Sequence, residues 1–173
     1  MGIILKRKAV KLFIGFIYKD EAAFQNALKR LEKYYGKADF QSRPFEFLHT
    51  DYYRREMGDA LLRKFAGFRR LILPQELPAI KLLTNRIEKL LLKNNKRTVN
   101  IDPGYLDPAK VILATTKDYN HRIYLDKGIF AEVTLFFSQG EFRPWQWTYP
   151  DYRSREYAQV FKEIRKIYVR QIA

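Results

Sequence analysis

The sequence predicts an α+β fold: one domain with a mixed, mainly antiparallel sheet and about three helices. Three observations predict it. Val10 to Tyr18 (VKLFIGFIY) is an almost unbroken apolar run, rich in β-branched and aromatic residues, the pattern of a buried central strand. Three other stretches place apolar residues at helical spacing. From Thr98 onward the chain is dense in short β-type runs separated by turns.

The elements follow in order. After the first strand, Asp20 offers an N-cap. Ala23, Phe24, Ala27, Leu28, Leu31 and Tyr35 mark a helix that Gly36 stops. Phe45 to His49 alternates like a second strand. Met57, Leu61, Leu62 and Phe65 suggest a helix or half-helix within Tyr52 to Phe65, and Arg69 to Leu73 a short strand. Beyond Pro74 and Pro78, an amphipathic helix carries Ile80, Leu83, Ile87, Leu90 and Leu91 and runs out in Lys93 to Lys96. Thr98 to Ile101 begins another strand, and Asp102-Pro103-Gly104 reads as the turn at its end. Val111 to Thr115, Arg122 to Leu125 and Ile129 to Phe137 read as three strands, the last two joined at Asp126-Lys127-Gly128. Tyr149 to Tyr152 form a turn before a C-terminal helix with Tyr157, Phe161, Ile164, Ile167 and Tyr168. The first half fits a ferredoxin-like βαββαβ core extended by a hairpin. With no repeat and no linker, residues 1–173 read as a single domain.

Composition narrows the chemistry. Apolar residues make up 47% of the chain, enough for a folded core, and there is no cysteine. That excludes disulfides, a thiol nucleophile and cysteine zinc sites, and it fits a reducing cytoplasm. No apolar run approaches the roughly 20 residues that span a bilayer. The apolar patches near the N-terminus are too short for a secretory segment, so a cytoplasmic location and no membrane partner are expected. The 33 Lys and Arg exceed the 19 Asp and Glu, for a net charge of +14. Such an excess favours polyanions such as RNA, DNA, nucleotides or anionic lipid, of which a nucleotide or RNA is the partner expected here.

Five stretches carry candidate chemistry. In Asn100 to Tyr105, Asp102 could hold a metal or act as a general base, or simply cap a turn. Thr115 to Arg122 (TTKDYNHR) packs hydrogen-bonding groups between two strands. Lys117 and Arg122 suit phosphate oxygens, His121 can move protons near neutrality, and Thr116, Asp118 and Tyr105 complete the candidate ligand-binding set. Glu132 shares a strand face with Phe130, Thr134 and Phe136. A turn centred on Asp126-Lys127-Gly128 puts it opposite Arg122, so an Arg122–Glu132 pair is expected. His49, Asp51 and Glu56 are metal-ligand types at a spacing that fits no metal signature, and Thr50 or Asp51 serves equally as a helix N-cap. The aromatic stretch Trp145 to Tyr152, with Phe142, Arg143 and Arg153, could stack bases or close a core.

Thr50-Asp51-Tyr52-Tyr53 with Glu56-Met57-Gly58, Asn100 to Leu106, Ala114 to Leu125, Gly128 to Leu135 and Trp147 to Tyr152 together resemble the signature blocks of a prokaryotic family, the domain of unknown function 4416. The resemblance spans nearly the whole chain and implies one domain. It transfers no activity and no catalytic residue. Some members carry a loose GTP-binding label. This chain has no GxxxxGK[ST] loop, and Thr116-Lys117-Asp118 lacks the intervening residue of a guanine-reading [NT]KxD.

The leading expectation is binding or processing of a phosphate-bearing ligand such as a nucleotide. Asp102, His121 and Glu132 are the candidate catalytic groups, and a divalent metal such as Mg²⁺ is the cofactor class their carboxylates could hold. An RNA-binding module and a structural or interaction domain are the alternatives.

Overall fold

A computed structural model describes residues 2–3, 8–48 and 53–173 of the chain. Its strands are β1 (Val10–Tyr18), β2 (Ala38–Gln41), β3 (Phe45–Glu46), β4 (Leu62–Ile72), β5 (Val99–Leu106), β6 (Lys110–Thr115), β7 (Ile123–Asp126), β8 (Ile129–Ser138) and β9 (Glu141–Pro144). Three long helices are α1 (Glu21–Tyr35), α3 (Leu77–Leu90) and α4 (Arg155–Ile172), and α2 (Arg54–Met57) is a single turn.

The nine strands form one open antiparallel sheet in the order β2-β4-β1-β5-β6-β8-β7, with β3 beside β4 and β9 beside β8. β1 is antiparallel to β4, and β4 to β2, so α1 carries the chain between two parallel strands separated by β4. By the same logic α3 links β4 to β5 around β1. Two interleaved split β-α-β units in the order β2-β4-β1-β5 make a ferredoxin-like core. The β6-β8-β7 hairpin layer extends it.

β1 reads as a continuous apolar run because both its faces are covered. Leu12, Ile14, Phe16 and Tyr18 pack against Phe24, Leu28 and Leu31 of α1 and Ile80 and Ile87 of α3. Phe13, on the other face, joins Phe161, Ile164 and Tyr168 of α4. Asp20 caps α1, its Oδ1 accepting the Ala22 amide at 2.9 Å, and Ser154 caps α4 by accepting the Tyr157 amide at 3.2 Å. Among the described residues, no helix is long and apolar enough to cross a membrane.

Three local expectations need correction. The helical spacing over Tyr52 to Phe65 yields only the single turn α2, because Ala60 adopts a left-handed conformation (φ 57°) and the chain then enters β4. Phe65 to Phe68 are buried on both faces of that strand, so the two-residue alternation that would have revealed it is missing. Asp102-Pro103-Gly104 is no turn; it lies inside β5, which continues to Leu106. The strand expected at Phe45 to His49 is reduced to Phe45–Glu46, with 49 outside the described residues, and β2 and β9 were not anticipated.

Candidate functional site

β5 pairs with β1 along its whole length but with β6 only from Gly104 to Leu106. Pro103 marks where the second ladder stops, since it has no N–H to donate across the sheet. Two residues earlier, the Ile101 amide donates to Glu88 Oε1 of α3 at 2.7 Å, and its carbonyl accepts from Lys81 Nζ at 3.3 Å. The helix has taken over the hydrogen bonds that a neighbouring strand would have made. Gly104 stands at the apex of this fork. A Cβ there would lie 2.3 Å from the Ile112 carbonyl oxygen and 2.5 Å from the Phe13 ring, so β5 and β6 meet here only because the residue is glycine.

Beyond the apex the strands part, and a cavity of about 570 Å³ opens between them. Ligand sites typically enclose about 300–1,000 Å³. Because the sheet is open here, side chains from both of its faces enter one space. Lys81, Asn85 and Lys89, four residues apart on α3, form one wall that Arg97 and Asn100 continue. Thr115 at the end of β6, Thr116 and Lys117 just beyond it, and Glu132 of β8 form the facing wall. Arg63 of β4 lies on the floor beside Phe47, Tyr53, Asp151 and Tyr152. Another depression, of about 610 Å³, lies between Phe40–Phe45 and the start of α4 and holds none of the residues expected from sequence.

Arg63 organises the floor. Its side chain is 4% exposed, and it donates to Asp102 Oδ2 at 3.3 Å and to Asp151 Oδ2 at 3.2 Å. The Phe47, Phe65 and Tyr152 rings surround the guanidinium, with centroids 5.3 to 5.6 Å away. Asp102 also accepts from Lys81 at 3.4 Å and from Asn100 Nδ2 at 2.6 Å. Burial alone would raise the Asp102 pKa, but Lys81 and Arg63 outweigh it and hold the carboxyl below its ordinary value.

Glu132, buried, is met by Arg122 Nε and His121 Nε2, each 3.1 Å from Oε2. The expected cross-strand pair therefore forms, by a route the sequence did not show. The turn has two residues, Lys127-Gly128, with Asp126 opposite Ile129. An irregularity between Tyr124 and Asp126 restores the offset, so Tyr124 faces Phe130 and Ile123 faces Ala131. Arg122 further donates to the Lys117 carbonyl at 2.9 Å and to the Tyr149 hydroxyl at 2.5 Å. His121 stacks on Trp147, Trp147 on Trp145, and Trp145 leans on Phe136.

Of the residues expected from sequence, Asp102, Thr116, Lys117 and Glu132 line the cavity. His121 and Arg122 contact Glu132 without lining it. Asp118 is exposed outside the lining, and Tyr105 packs against the α3-side core on the opposite face of β5. His49, Thr50 and Asp51 lie outside the described residues, while Glu56 pairs with Arg97 at 3.3 Å. Among the described residues no three His, Asp or Glu side chains converge as a metal site would require. Sequence reasoning missed Arg63, Lys81, Asn85, Lys89, Arg97 and the role of Asp151. One signal was present: Arg63 interrupts an otherwise apolar stretch, Leu61 to Phe68, apart from its neighbour Lys64.

Behind the α3 wall, burial pushes the Glu88 carboxyl up to about 7; Lys81, the Ile101 amide and Arg97 oppose the rise and Asp102 adds to it. The folded state thus holds this proton more tightly than the unfolded chain, whose carboxyl titrates near 4.5. The Glu88 contribution to stability is fully present below pH 4.5 and is lost as pH rises through 7, a change of about 3 kcal/mol. Urea midpoints at pH 5 and pH 8 should therefore differ less in Glu88→Gln than in the native chain. Equal differences would contradict the assignment.

An α+β protein with a ferredoxin-like core, a hairpin extension and a charged cavity at a fork in its sheet is what fold and site define. The chain belongs to the family described as Domain of unknown function (DUF4416), whose sequence model matches residues 8–168. No curated protein and no solved structure matches it. The blocks that carry the family resemblance supply Tyr53, Asn100, Asp102, Ala114 to Lys117, Glu132 and Tyr149 to Tyr152 of the cavity lining.

Proposed function

We propose that the protein binds a phosphate-bearing small molecule of the nucleotide class in the fork cavity. One observation supports this reading above the rest: Lys81, Lys89 and Arg97 on one wall face Lys117 on the other, across a space of nucleotide size. Lys89 and Lys117 are exposed at the mouth and can meet an incoming anion. Under this reading Lys117 and Lys89 hold phosphate, and Arg122 sets Glu132 in place. Asp102 and Glu132 are the groups available for acid–base work, with His121 as the proton relay to Glu132. A cytoplasmic setting goes with the absence of cysteine.

The aromatic stretch favours a small ligand over RNA. Trp147 is sandwiched between Trp145 and His121, so the ring faces that would stack bases are engaged with one another.

A thermal-shift screen of nucleotides, with and without Mg²⁺ or Mn²⁺, tests the proposal. A ligand at about 100 times its Kd stabilises the native state by about 2.7 kcal/mol. For a chain this long that raises Tm by about 5–10 °C. The double substitution Lys89→Ala with Lys117→Ala should abolish the shift. A screen in which no phosphorylated compound moves Tm would reject the reading.

A further inference from the structure

We infer that the end of α3 and the turn after it form a second binding surface, for the phosphate backbone of a single-stranded nucleic acid. The surface stands apart from the fork reading: of its four cations, Arg86, Lys89, Lys93 and Lys96, only Lys89 also lines the cavity.

The four are crowded by the backbone itself. Arg86 and Lys89 are three residues apart on α3, so they are neighbours on the helix surface, with Cβ atoms about 5–6 Å apart. The helix ends at Leu90, and the chain then makes a tight hairpin. The Lys93 amide donates to the Lys96 carbonyl at 3.0 Å, and the Lys96 amide donates to the Lys93 carbonyl at 2.9 Å. Asn94 and Asn95 between them are both left-handed, at φ 50° and 58°, as a two-residue type I′ turn requires. The reciprocal bonds make Lys93 and Lys96 a directly opposed pair, with side chains on one face and Cβ atoms about 5 Å apart.

Like charges at such spacings repel and lower stability. A carboxylate at any of the four positions would relieve the repulsion, and the sequence places none there. All four cations are exposed, and among the described residues no carboxylate pairs with them. Glu88 of α3 and Glu56 of α2 pair with Arg97 instead. Positive charges held together without partners are matched when an anion bearing several charges settles across them.

The partner must carry its charges in a row. A nucleic-acid strand does so, with one phosphate per nucleotide, and Lys and Arg bind that row without reading bases. Residues 86 to 97 include no aromatic side chain, so no base is stacked here and no sequence is selected. The surface is short, one helical turn and one hairpin, whereas recognition of double-stranded RNA needs contacts across successive grooves. A single strand therefore fits it best. A bilayer fits less well, because α3 spends its apolar side, with Ile80 and Ile87, on the core and keeps no amphipathic face to lie in an interface.

Fluorescence anisotropy of a labelled twelve-nucleotide oligouridylate, titrated with the full chain between about 50 and about 200 mM salt, tests the inference. Four phosphates neutralised on a single strand give a slope of log K against log salt of about −2.8, a loss of about 50-fold in affinity across that range. Lys93→Ala with Lys96→Ala should weaken binding and halve the slope to about −1.4, a loss of about 7-fold. That variant should melt no lower than the native chain, since a repelling pair is gone. Should it melt lower, Arg86→Ala decides, with the slope expected to fall by about 0.7. Nucleotide-induced thermal shifts should be the same in the double variant as in the native chain; losing them together with oligonucleotide binding would make the two surfaces one and overturn the inference. An oligonucleotide that does not bind, or that binds native chain and variants with equal affinity and slope, would also overturn it. So would preferential binding to phosphatidylglycerol vesicles that is abolished by Leu90→Ser with Leu92→Ser, the exposed apolar pair a bilayer would use.

Discussion

Arg63→Met is expected to lower the unfolding free energy by about 3–5 kcal/mol, because it leaves the buried Asp151 carboxylate without the cation bonded to it. Methionine fills much of the same volume, so the loss reads out charge more than packing. Asp151 is affected most, since Arg63 is the cation bonded to it, whereas Asp102 keeps Lys81 and Asn100. Adding Asp151→Asn to the methionine variant should recover part of the loss, as the uncompensated charge is then gone. Urea denaturation of the two single variants and the double variant measures this. A loss below about 1 kcal/mol in Arg63→Met would mean that water solvates the floor and that the guanidinium is not its organiser.

Gly104→Ala is the second large effect, a destabilisation of about 3 kcal/mol or more. The added methyl collides with a backbone carbonyl of the neighbouring strand and with the buried Phe13 ring, neither of which can swing away. Relief requires β5 and β6 to separate at the apex, extending the fork into the ladder. Amide exchange at Tyr105 and Ile112, the pair next to the apex, should therefore accelerate more than exchange in the β1–β4 ladder. Unchanged exchange there, with stability near that of the native chain, would show that the apex tolerates a side chain.

Much of the fold was legible because its signals are local. α1, α3 and α4 carry apolar residues at helical spacing, and Asp20 and Ser154 cap two of them. β1 was legible because its nine residues are buried on both faces and Lys11 is the one charged residue among them. The same double burial concealed β4, where a short apolar run at mixed spacing is equally compatible with a helix. Within the site, the Arg122–Glu132 pair was expected from a turn centred on Lys127, and it forms because the shorter two-residue turn is offset by an irregularity between Tyr124 and Asp126 that no local pattern announced.

The sequence alone determined the fold class, the three long helices, the central strand, a strongly basic chain without thiol chemistry, and a polar hairpin built around Glu132. Only the tertiary structure decided that Asp102 belongs to a strand and not a turn, and that Arg63, Lys81 and Asp151 gather around it. Helical spacing and hairpin register act over a few residues and are written in order along the chain. The fork arises where Pro103 withholds one hydrogen bond and Gly104 admits one close approach, and its charged walls come from segments tens of residues apart whose meeting no local pattern encodes.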